Sequence, residues 1–88
     1  MQYFQLVIEA IEGNEFDSHK FIQLFMKQHA AVYGKLLQEH PNPTTVHAMI
    51  ANYLRTHASE LHIRKVEGGA MSNSIFDKEV SNALWRKE

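Results

Sequence analysis

The sequence predicts an all-α fold, a compact bundle of about four helices forming one domain over residues 1–88, and three observations carry that prediction. Apolar residues recur at three- and four-residue spacing through most of the chain. The two clear interruptions, Gly13–Asn14 and the run His40–Pro41–Asn42–Pro43, are built from residues that stop or start helices. The composition is 44% hydrophobic and 22% charged, with only two prolines and four glycines, which is globular rather than disordered.

The first helix is placed at residues 2–12. Phe4, Val7, Ile8 and Ile11 fall on one face and Gln5, Glu9 and Glu12 on the other. Gly13 and Asn14 tolerate the left-handed conformation that ends a helix. The second helix is placed at 18–40, with Asp17 or Ser18 accepting free backbone N–H groups at its start and Phe16 stapling to Phe21 across the first turn. Phe21, Ile22, Phe25, Met26, His29, Val32, Tyr33, Leu36 and Leu37 form its apolar stripe. Gly34 lies on the polar side, costs about 1 kcal/mol relative to alanine, and marks the place for a kink or break.

Asn42 as N-cap and Pro43 in the first helical position start a third helix, placed at 43–61. Its apolar face is Val46, Met49, Ile50, Tyr53, Leu54, His57 and Leu61. Residues 62–76 alternate weakly around Gly68–Gly69 and read as a short β-hairpin or a loop, with the loop favoured. Asp77 then caps a last helix at 77–86, in which Val80, Ala83 and Leu84 share a face and Trp85 closes the open end of the bundle.

A chain of 88 residues without cysteine buries about 60–65% of its unfolded surface and has no disulfide to staple a small core. A second copy of the chain would supply further burial, so a homodimer is expected. The net charge is −1, which exerts no general pull on nucleic acid or anionic membranes. No apolar run approaches the roughly 20 residues of a membrane span and no secretory signal is visible, so the chain is read as cytoplasmic.

Six histidines invite a metal reading. They stand at positions 19, 29, 40, 47, 57 and 62, no two of them three or four apart, and no cysteine accompanies them. That spacing lacks the paired ligands of a zinc motif, so no metal and no cofactor are expected. His29 and His57 each lie mid-stripe and read first as half-buried core residues. The sharper expectation makes them a pH-sensitive pair, neutral when folded and charging on acidification.

No phosphate loop, nucleophile elbow or paired carboxylate is present, and Ser72 and Ser74 beside the glycines are turn residues; no catalytic residue is assigned and the protein is read as not an enzyme. The expected role is a small protein-interaction or regulatory module whose partner is another protein or itself. Leu24, off the main stripe of the second helix, and Trp85 are the candidate contact residues.

Nucleic acid is the less favoured partner, through a winged-helix-like DNA-binding regulator. A helix-turn-helix centred on Ala30 and Gly34 would put Pro41 and Pro43 inside its second helix, which excludes that register. Another register uses the third helix as reader and the stretch after it as a wing, with His62, Arg64, Lys65, Arg86 and Lys87 as phosphate contacts. Membrane binding is not expected, because neither amphipathic helix carries a basic polar face.

Overall fold

A computed structural model describes residues 2–73 and 79–88, with the backbone alone at 2, 70–73 and 79–81. The described residues form four helices and three strands in the order α1 (Gln2–Ala10), β1 (Glu15–Asp17), α2 (Ser18–Gln28), α3 (Ala30–Glu39), α4 (Pro43–Thr56), β2 (Ile63–Asn73) and β3 (Glu79–Lys87). The fold is therefore α+β, not all-α. The strands make one antiparallel sheet in the order β1-β3-β2, so the last strand of the chain occupies the middle.

The largest correction falls on the last helix expected at 77–86, where β3 runs instead. Val80, Ala83 and Leu84 fit a helical face, but tertiary pairing overrides that local pattern. Trp85 stands opposite Phe16 of β1 and Lys65 of β2, and Arg86 opposite Glu15 and Arg64. A strand bonded on both edges satisfies its backbone and buries Trp85, which is 2% exposed. Asp77, expected to cap that helix, lies outside the described residues, as does Ser74.

Residues 63–73, favoured as a loop, are strand β2. Gly68 and Gly69 do not turn the chain there. The register steps from Val66 opposite Leu84 to Ala70 opposite Asn82, so residues 67–69 bulge against Ala83. Both glycines have positive φ, +90° and +62°, and a Cβ on Gly69 would stand 2.8 Å from the carbonyl oxygen of Asn82. Only glycine fits that bulge without strain.

The helix at 18–40 is two helices. The break falls at His29 (φ −128°, ψ 50°), five positions before Gly34, which sits inside α3. Its backbone N–H still donates to the Phe25 carbonyl and its carbonyl still accepts from Tyr33 N–H, both at 2.9 Å. The starts follow the sequence. Asp17 accepts from Lys20 N–H at 2.7 Å, Phe16 packs on Phe21 at 6.2 Å between ring centroids, and Asn42 accepts from Thr44 N–H at 3.0 Å with Pro43 behind it.

Regular helix in α4 ends at Thr56, short of the expected residue 61. The chain continues to wind, with Leu61 N–H on the His57 carbonyl, and then closes. Ile63 N–H donates to the Ala58 carbonyl and His62 N–H to the Ser59 carbonyl, while His62 takes φ +57°. These are the bonds of a Schellman cap with histidine where glycine is usual.

The core joins all layers: Val7 and Ile8 from α1 and Ile11 just after it, Phe21, Ile22 and Phe25 from α2, Tyr33 from α3, Val46, Ile50 and Leu54 from α4, then Leu61, Ile63, Phe16 and Trp85. Fully buried side chains such as Phe21, Phe25 and Leu54 each contribute about 1.5–3 kcal/mol relative to exposure.

Candidate nucleic-acid interface

The feature that stands out is α4 and what flanks it. Val46, Ile50 and Leu54, four residues apart, are its buried side chains. Thr44, Thr45, Ala48, Met49, Asn52, Arg55 and Thr56 are exposed. At 100° per residue these seven span about 140°, with Asn52 near the middle and the buried row opposite. The helix is thus packed along one stripe and open along another.

From His40 to Ser59 the chain contains no Asp or Glu. Arg55 is the formal charge on the open face, and its guanidinium donates to Asn52 Oδ1 at 2.7 Å. Residues 40–42 alone separate α3 from α4, the length of connection found in a helix-turn-helix. The prolines that exclude the Ala30–Gly34 register thus define this later one, with Pro43 opening its second helix.

The five candidate phosphate contacts divide. His62, just before β2, and Arg64 and Lys65 within it are exposed. Arg86 is exposed but committed, its Nε donating to Glu15 Oε2 at 2.8 Å within an ion pair. Lys87 is half-buried and its ammonium donates to the Ile11 carbonyl. Arg64 and Arg86 stand opposite one another in the strand register.

The remaining sequence candidates lie apart from this face. Trp85 is buried and its indole N–H donates to Ser18 Oγ at 3.1 Å. Leu24 is partly buried against the core. His29 lies between the rings of Tyr3 and Phe25, at 5.2 and 5.8 Å, and its buried Nε2 has no hydrogen-bond partner among the described residues. His57 follows α4, stacks on Tyr53 at 4.2 Å and has Nδ1 3.1 Å from Glu60. The two histidines stand at opposite ends of one run of ring contacts, His29–Phe25–Phe4–Tyr53–His57.

A further pair escapes the helical wheels. The Tyr33 hydroxyl of α3 lies 2.6 Å from His47 Nε2 of α4. Burial, and secondarily the nearby His19, hold His47 below the usual histidine value, while burial pushes the Tyr33 phenol up. His47 stands beside its helix's apolar stripe, not on it, which is why periodicity alone passes over it.

Among the described residues, no three His, Asp or Glu side chains gather to hold a metal ion. No helix in them is long and apolar enough to cross a membrane. No family model, curated protein or solved structure matches this chain.

Proposed function

We propose that this protein is a non-catalytic module that binds duplex DNA, laying the open face of α4 in the major groove with the β2–β3 hairpin alongside. The observation that carries the reading is α4 itself, a helix free of carboxylates and packed on one side only. It follows a three-residue connection and runs on into an antiparallel hairpin. A helix-turn-helix followed by such a hairpin is the winged-helix arrangement, and B-DNA's major groove admits one α-helix. Arg55 on the open face and the exposed Arg64 and Lys65, which point to opposite faces of β2, are the cations this reading offers to phosphate. A reducing, cytoplasmic setting accords with a cysteine-free DNA-binding chain.

Fluorescence anisotropy with a mixed-sequence duplex, at low and at near-physiological salt, tests this. Binding should weaken steeply with salt, and the double variant Arg64→Ala, Lys65→Ala should lower the slope of log K against log salt by about 1–2. Absence of binding at low salt would overturn the reading. A protein partner is the second reading, favoured by Tyr3 and Leu6, which stand three residues apart on α1 and are each 46% exposed. Sedimentation of the free protein at rising concentration would reveal the self-association that surface would support.

A further inference from the structure

The open face of α4 has a chemistry more specific than a capacity for DNA. Resting on the duplex-binding reading, we infer that α4 reads A·T base pairs, through thymine methyl groups and an adenine edge. The first two turns expose Thr44, Thr45, Ala48 and Met49, a surface of methyl groups, two hydroxyls and one thioether with no formal charge. The N-terminal residues of a reading helix are those that meet base edges. In the major groove the thymine 5-methyl is the apolar feature, and alanine, the threonine methyl and other apolar groups are its partners. Guanine is most often read by arginine or lysine, and neither occurs between Lys35 and Arg55.

Asn52 completes the pattern. It sits near the centre of the open face, and asparagine pairs with adenine by accepting from N6–H and donating to N7. Arg55 already donates to Asn52 Oδ1 at 2.7 Å. A carboxamide oxygen has two lone pairs, so this bond occupies one and leaves the other, with both Nδ2 protons, for the base. Arg55 therefore acts as a positioning residue. It fixes which way the amide faces while its remaining donors are free for phosphate.

The test compares three duplexes of one length at one low salt concentration: an A·T-rich duplex, a G·C-rich duplex, and the A·T-rich duplex with deoxyuridine in place of every thymidine. Binding to the A·T-rich duplex is expected to be at least about fivefold tighter than to the other two. Asn52→Ala, an exposed substitution whose folding is checked by circular dichroism, is expected to abolish the preference for A·T over G·C while salt-dependent binding persists. Equal affinity for all three duplexes overturns the inference and leaves duplex binding standing. A preference for A·T that survives both uracil and Asn52→Ala also overturns it, since the groove shape would then be what is read. Failure to bind any of the three at low salt overturns the duplex reading itself.

Discussion

At His62 the backbone takes φ +57°, the one non-glycine residue with positive φ among those described. A left-handed conformation costs an L-residue about 1–2 kcal/mol, offset in part by glycine's larger loss of chain entropy on folding. His62→Gly should accordingly raise stability by about 0.5–1 kcal/mol in urea unfolding, and His62→Val should lower it by at least as much, because a β-branched residue suits this region least. His47 gives the pH dependence. Its folded value lies below the ordinary 6.5 because of burial and His19. The unfolded chain therefore binds more protons between the two values, and stability falls as pH drops below about 6.5. Urea midpoints measured from pH 7.5 to 5 should decline in the wild type. Subtracting the His47→Gln profile should remove part of that decline, and an unchanged profile would show that His47 is not its source.

The elements divide between those written in local residues and those that depend on distant ones. Gly69 shows the second kind. Positive φ opposes a side chain at both Gly68 (+90°) and Gly69 (+62°), but only at Gly69 would an added Cβ also stand 2.8 Å from Asn82's carbonyl oxygen, whereas a Cβ on Gly68 would meet nothing within 4 Å. Gly69→Ala should destabilise by about 1–3 kcal/mol and Gly68→Ala by less, compared by thermal unfolding. In the sequence the pair reads as punctuation, because a turn and a bulge ask for the same residue type; only the register with β3 separates them. Starts are legible because caps are local: Asp17, Asn42 and Pro43 act within three residues of themselves. The break at His29 is not, since Gly34 is the weaker helix former but His29 is the residue packed on Tyr3 of another helix. The open face of α4 is legible in outline from its polar residues, yet its limits need burial: Met49 belongs to the apolar wheel and is nevertheless 41% exposed.

For the molecule as a whole, the Cα radius of gyration of 12.3 Å agrees with the roughly 12 Å expected of one compact domain of this length. Its two ends are tied together through the sheet. Glu15–Asp17 pairs with 84–86, Lys87 N–H donates to the Asn14 carbonyl at 2.7 Å, and Trp85 reaches Ser18. Strand β3 thus completes a core whose other walls are made of the first two-thirds of the chain, and the helices have no complete core without it. Trp85 is the single tryptophan, so its fluorescence reports that closure while far-UV circular dichroism reports mainly the helices. If sheet and helices are one cooperative unit, the two urea transitions should superimpose. Ser18→Ala, which leaves the buried indole N–H without its acceptor, should shift both together by about 1–3 kcal/mol. A fluorescence transition that precedes the loss of helix would instead make the sheet a separately melting element. The β2–β3 hairpin would then be a part that can open while α4 stays folded.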